Sequence, residues 1–598
     1  MRKVFFLLCI PFLIFSQNKF VYDLNYTILD NGISINSAIK ISKPISILDI
    51  YLAKPYVADI RLQENHLKFE QKETSNKYKI NIATNANKEV NDFTLSYSLI
   101  KEKNDTVANR NFYYDKDQFY LLPDLNYLPI IEKQNKDFIY RTTVQNNKRY
   151  TYVDNEFQNK QNEPPYIILG NFNISRQNKI QSFIPVNINY NKKRLLSICK
   201  EIELSYKYFS RVFGIPTKTQ NTFKLFFLKR TGGHGLPSGL ILNQEYLLGT
   251  EEKISKGLKS LIAHEVSHYW WGTNAKIHSS IGEGLAEYSA ISYMEDVENY
   301  DVKKTFLKKN LQLDLLQSEK VKIDTITPYN TDNSLYRSIS YDRLPIVFRE
   351  LSYKIGKENF LSRLKSLFEK YQDQEKEISY DDFLDYFKDI NLYQELGNEN
   401  MREWPDFYIK NVSNNKITFA VENLTVDKRL PIKIISDQEK VYSDVIEFNA
   451  NNLEISKSYN YNIKEIILDP DFNFNQKTSI NDVYSKSPLN TSSSKYGEVF
   501  EKKFYDFSNM LIEYLFYKNV SLDTINIKNQ ELLDKITSST RKIKVKGFLL
   551  FVDQKKDKMK IFIDFESTNK QNNIGYISLS YIEKNEKIYL SSFDKIKL

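Results

Sequence analysis

The sequence predicts a multidomain α+β protein: an N-terminal β domain, a mainly α domain, a small β-sandwich and a C-terminal α+β module. Three observations lead there. The chain has 598 residues, a length that holds about three to five domains. Apolar and polar residues alternate with period two before residue 190 and again after residue 416, which is strand patterning. Between those regions apolar residues recur every three or four positions, the period of helices that bury one face.

Met1-Arg-Lys, the apolar run Val4–Phe15 and then Ser16-Gln17 read as a secretory signal peptide over residues 1–17. The run is too short for a comfortable membrane span. Leu8 before Cys9 argues against a lipid-anchored start. Removing the signal leaves Cys199 as the one cysteine, so no internal disulfide forms. An exported protein, periplasmic or extracellular and of a bacterial envelope, is the expectation. No later stretch is long and apolar enough to predict a transmembrane segment. The formal charge of +9 is spread thinly, without a block of like charges, which excludes a nucleic-acid-binding tail.

Residues 18–190 form the expected β domain, with Lys77–Thr84 and Asp92–Lys103 as its clearest alternating stretches. The mainly α domain, 191–410, opens with a helix over Lys193–Phe213. Its stripe is Leu195, Ile198, Ile202, Tyr206 and Phe209, and Gly214 and Pro216 stop it. Cys199 lies on this helix and reads as a buried, inert thiol. Phe223–Leu228 reads as a strand. The Gly-rich stretch Thr231–Leu242 leads into another strand and contains His234, a loop histidine on the plain reading.

The next helix carries His264, Glu265 and His268 in the pattern His-Glu-x-x-His. Thr250 is its expected N-cap, with Glu251 and Glu252 in the first turn. Ile254, Leu258, Leu261, Ile262 and Val266 supply its apolar stripe. Residues four apart share a helix face, so both histidines can turn a ring nitrogen toward one metal ion. Glu265 can reach a metal-bound water as general base. A catalytic zinc wants three protein ligands and an open position. Glu283 and Glu287 follow on a second amphipathic segment, Ile281 to Val297, one turn apart on one face.

His-Glu-x-x-His-x-Trp-x-Gly followed by Glu-Gly-x-Ala-x-Tyr resembles the aminopeptidase N-type gluzincins, the M1-like zinc metallopeptidases. The resemblance implies a thermolysin-like, mainly α catalytic domain and one Zn2+ per chain, held by His264, His268 and Glu283. Fourteen residues separate His268 from Glu283 and 18 separate it from Glu287. The family's usual spacing matches the second count, while its local motif matches Glu283. Glu287 then reads as a carboxylate that holds a histidine ring.

Further on, Ser340-Tyr-Asp-Arg-Leu344 resembles the family's Ser-Tyr-x-Lys-Gly, in which the Tyr opens a helix and donates to the oxyanion. That role falls to Tyr341. Arg343 replaces the Lys, Leu344 replaces the Gly, and Tyr336 stands where some members carry a second active-site Tyr. One departure touches specificity. Aligning Gly239-Leu-Ile with the family's Gly-Leu-Ile puts Leu236 where a Glu usually reads the substrate's free amine, with Glu245 or Glu287 as other acids that could take its place. A leucine cannot pair with an ammonium. The resemblance also implies that an edge strand before the zinc helix takes the substrate backbone as an added strand.

Lys416–Leu424, Leu430–Ile435, Val445–Phe448 and Glu465–Leu468 give a small β-sandwich over 411–484. A Ser-rich linker, 485–495, leads to an α+β module over 496–598, with a helix near Tyr496–Tyr517 and three or four antiparallel strands. This module carries no catalytic constellation and is expected to be an accessory domain with an unknown partner. The function expected is zinc-dependent peptide-bond hydrolysis on a peptide or protein substrate, without strict aminopeptidase specificity. The competing reading is a non-catalytic, zinc-binding scaffold that keeps the peptidase fold. Retention of Glu265 separates the two, because a structural zinc has no use for a general base.

Overall fold

In a computed structural model residues 19–597 are described, with breaks of which the longest are 101–110, 310–332, 393–403, 486–501 and 518–543. The expected signal peptide, nearly all of the Ser-rich linker and residues 496–501 of the last expected helix lie outside the described residues. The chain divides into two compact units. One is Met1–Leu204 with Lys218–Tyr269; the other is Ser205–Thr217 with Trp270–Leu598.

The first unit begins with strands whose alternation sorts side chains to two faces. In Lys19–Leu29 the residues Phe20, Tyr22, Leu24, Tyr26 and Ile28 are buried, and those between them are more exposed. This strand sits inside a six-stranded sheet, antiparallel to Gly32–Ile45 and parallel to Asp137–Gln145. A four-stranded sheet built on Ile47–Ala53 and Lys77–Thr84 shares its core, where Ile50, Ile80 and Ile82 join Phe93 and Leu95. The strand predicted from Asp92 is Val90–Ile100.

A five-stranded sheet follows, ordered Phe172–Gln177, Ile180–Pro185, Phe223–Leu228, Gly239–Asn243 and Gly233–Leu236. The three middle strands are parallel. Their central member buries Leu225, Phe226, Phe227 and Leu228 completely, the continuous apolar run of a strand covered on both faces. Helix α1, Lys192–Phe213, occupies the crossover. Cys199 on it is buried, and burial pushes its thiol up to about 11, so it is protonated and inert. Gly233–Leu236 is antiparallel to its neighbour and forms the sheet's edge.

Helix α2 is Lys256–Ser267, and its N-cap is Ser255, whose hydroxyl accepts from the Leu258 amide. The expected cap at Thr250 is therefore corrected. Arg194 explains the later start, because its guanidinium donates to the carbonyls of Glu251 and Lys253 and holds that stretch as a loop.

In the second unit helix α3 spans Ser279–Glu298. The sequence predicts an amphipathic segment, but most of α3 is buried around its circumference, Leu285, Ala286, Tyr288 and Ala290 included. Gly284 permits this closeness: a β-carbon there would stand 2.6 Å from Leu344 Cβ. Asn333–Arg337 is helical, continues through a π-turn at Ser338–Arg343, and becomes the helix Leu344–Ile355. Tyr341 therefore lies within a π-turn and does not open a helix.

Two sheets of three and four strands follow, built on Lys416–Glu422 and Lys428–Ser436. They share a core of Phe407, Ile417, Phe419, Leu430, Ile432, Ile434, Ile446 and Phe448. Buried Glu350 pairs with buried Lys428, tying the helix Leu344–Ile355 to this sandwich. The last described elements are the helix Lys502–Ile512 and a meander of four antiparallel strands from Lys544 to Lys597.

Candidate metal centre

One face of α2 points Leu258, Ile262 and Val266 into the core. The helical phase then turns His264 and His268 together, with ring nitrogens Nε2 3.2 Å apart and ring planes at 84°. Nothing stabilises two imidazole nitrogens facing each other as well as a shared proton or a shared cation. A tetrahedral ion with ligands about 2.0–2.1 Å away separates its ligand atoms by about 3.3 Å, and the histidine pair has that separation.

The chain leaves α2 through Trp270 and Trp271, both fully buried. Trp270 donates to the Gly214 carbonyl and Trp271 to Ser289 Oγ on α3. Gly272, at φ +136°, closes a turn in which its amide bonds to the Ala275 carbonyl and the Ala275 amide to Trp270. This tight turn covers the short interval between His268 and α3. Among the described residues, His264, His268 and Glu283 form a group of potential ligands whose donor atoms all lie within 4.8 Å of one another. Two imidazoles and a carboxylate are a donor set that suits Zn2+. Glu287 is not in that group. Its carboxylate accepts from Lys309 Nζ at 2.7 Å.

Glu265 is buried, and its side chain lies against the edge strand. A β-carbon on Gly233 would come 2.6 Å from Glu265 Oε1, and one on Gly235 would come 2.9 Å from His268 Cβ. Alternate residues of a strand share a face, so the two glycines let the edge strand lie flat on the helix that carries His264 and His268. Tyr246, which the sequence reading did not single out, shares this neighbourhood. Its phenol is raised, first by burial and then by the negative charge of Glu265, with Arg230 opposing. No signal among 42 tyrosines marks it.

The remaining expected residues are placed as follows. His234 lies between the two glycines and is half-buried. Leu236 is buried in a cluster with Phe226, Leu228 and Ile241, so its side chain belongs to the core. Glu245 is exposed on a short 3-10 turn. Tyr336 is buried, and Tyr341 is half-buried with the Arg337 guanidinium 5.7 Å from its ring centroid. Arg343, completely buried, stacks over Trp404 at 4.0 Å.

A mixed sheet whose edge strand lies against a His-Glu-x-x-His helix, with a group of three potential metal donors, fits one class, a metallopeptidase domain. Residues 208–410 match the Peptidase family M1 domain. Aminopeptidase M1-D of Oryza sativa subsp. japonica is 26% identical over 212 residues, covering 33% of this chain and 24% of that protein. The crystal structure of Legionella pneumophila aminopeptidase A in complex with aspartic acid superposes with a TM-score of 0.60 at 16% identity. It covers 84% of this chain and 64% of that one. The chain thus matches about a quarter of the curated relative's length and under two thirds of the solved structure's, and the structural likeness is one of fold. Among the described residues no helix is long and apolar enough to cross a membrane.

Proposed function

We propose that the protein is an exported zinc metallopeptidase with one catalytic zinc held by His264, His268 and Glu283. The observation that carries this is the grouping of those three donors with the Glu265 carboxylate on the same helix. A zinc in such a site supplies Lewis-acid polarisation of a carbonyl and a lowered pKa for water. Glu265 takes the proton of the attacking water and passes it to the leaving amine. Tyr341 donates its phenolic hydrogen to the oxyanion that develops on the scissile carbonyl. Gly233–Leu236 is the end strand of its sheet, and an extended peptide adds along it as a further strand.

The relatives' names read aminopeptidase. In this chain Leu236 is buried and apolar, so that position cannot hold an ammonium ion. Cleavage without a strict demand for a free N-terminus is the reading this favours. The organisation that goes with it is a β domain over 18–190, the catalytic domain over 191–410, the sandwich over 411–484 and an accessory module over 496–598. Zinc analysis of the purified chain, with a mixed peptide library digested with and without chelator, tests the proposal. A chain that binds zinc and cuts nothing would leave the scaffold reading, and one that binds no zinc would overturn both.

A further inference from the structure

Pro345 stands four residues after Tyr341. Proline has no amide hydrogen, so in a helix it leaves the carbonyl four residues earlier without its ladder donor. Here that carbonyl belongs to Tyr341. The chain responds with the π-turn Ser338–Arg343, in which the Leu344 amide reaches back to the Ile339 carbonyl. Such turns are uncommon and gather at functional sites. The Tyr341 carbonyl is taken by a side chain from elsewhere: Lys309 Nζ donates to it at 2.5 Å.

Lys309 is buried, 6% exposed. Its other bond is to Glu287 Oε1 at 2.7 Å, and Asp342 Oδ1 lies at 3.8 Å. Glu287 is one helical turn beyond Glu283 on α3. One ammonium group therefore bridges the helix that carries the third metal donor and the main chain of the tyrosine. A buried ion pair is a poor source of stability, because desolvation offsets most of the attraction. Its geometry, by contrast, is stiff, since the buried Lys309 ammonium stays out of water only while its bonds to the half-buried Glu287 and to the Tyr341 carbonyl are made.

We propose that Lys309 is a positioning residue, which fixes the π-turn of Tyr341 against α3 through Glu287 and the Tyr341 carbonyl. Removing it frees the tyrosine main chain without touching a metal donor. The kinetic part rests on the peptidase reading above; the structural part does not.

The test compares the full-length, zinc-loaded chain with Lys309→Met, Tyr341→Phe and their combination, measuring zinc content, amide exchange and steady-state kinetics. In Lys309→Met, exchange over residues 338–343 should rise by about tenfold or more, with exchange over 357–371 and zinc content unchanged. kcat should fall by about tenfold or more while KM moves less than about threefold. The double variant should be no slower than Tyr341→Phe within about twofold, since the two changes act through one group. Unchanged exchange over 338–343, or losses that multiply in the double variant, would overturn the proposal. If the wild type cuts no peptide, the peptidase reading fails and the exchange result alone decides the role of Lys309. Should Lys309→Met not fold, Glu287→Gln, which loses one end of the bridge, must show the same changes in smaller measure; no change there also overturns it.

Discussion

Gly233 lies so close to Glu265 that a β-carbon would meet the carboxylate oxygen at 2.6 Å. The same β-carbon would stand 2.6 Å from Glu265 Cγ and 2.8 Å from Cδ, so the whole glutamate side chain would have to be displaced, with no backbone atom among its nearest contacts. Gly233→Ala is expected to retain its zinc and melt close to the wild type. Its kcat should fall on the order of a hundredfold or more, the size of effect a displaced general base produces. A Gly233→Ala variant with wild-type turnover would mean that Glu265 is not where the proton is taken.

The choice between the two glutamates of α3 is settled by metal analysis. Glu283 groups with the histidines, and Glu287 bonds to Lys309. Glu283→Gln should lose most of its zinc on dialysis, and Glu287→Gln should keep it. The opposite pattern would move the third donor to Glu287, where simple spacing puts it.

Glu265→Gln removes a proton carrier and leaves all three donors. Zinc content should be that of the wild type, with turnover lower on the order of a thousandfold. Tyr341→Phe loses one hydrogen bond to the oxyanion and should cost on the order of a hundredfold. Hydrolysis at the wild-type rate in Glu265→Gln would sink the mechanism.

Cleavage mode is read from one peptide assayed with and without an N-acetyl group. Leu236 offers nothing to an ammonium ion, so acetylation should change kcat/KM by less than about threefold. Single-residue aminoacyl amides, which cannot pair along the edge strand, should be poor substrates. A strong preference for the free amine would show that another acid, Glu245 or Glu287, reads it.

Stability should carry a signature of Glu465 in the sandwich. This glutamate is buried, and Oε1 has no hydrogen-bond partner among the described residues. Burial pushes its carboxyl up to about 7 from 4.5, with Lys433 and Lys464 opposing and Glu439 adding to the rise. The folded chain thus holds this proton more tightly than the unfolded chain. The resulting stability is present below pH 4.5 and is lost as pH rises through about 7. Glu465→Gln keeps the neutral form at every pH, so its melting temperature should exceed the wild type's at about pH 8 and match it at about pH 4. Equal melting curves at both pH values would refute the assignment.

Much of the candidate site is local, and local features are legible in a sequence. The four-residue interval between His264 and His268 puts both on one helix face whatever surrounds them. Alternation gave the strand Lys77–Thr84, and a dense apolar run gave Phe223–Leu228, with the bounds the structure has. Pro345 already tells that the Tyr341 carbonyl lacks its usual donor four residues on. Where the local signal was ambiguous the sequence misled. Thr250 and Ser255 are both competent caps, and Arg194, 61 residues before Ser255, decides between them by holding the carbonyls of Glu251 and Lys253.

What remained belongs to long-range packing, which no periodicity encodes. Glu283 and Glu287 lie one turn apart and are equivalent as letters. Among the described residues it is Glu283 that groups with the histidines and Glu287 that bonds to Lys309. The need for a donor at Tyr341 is written in the sequence. That Lys309 meets it is decided by the tertiary fold, because a hydrogen bond across 32 residues depends on where two segments are carried by everything packed between them.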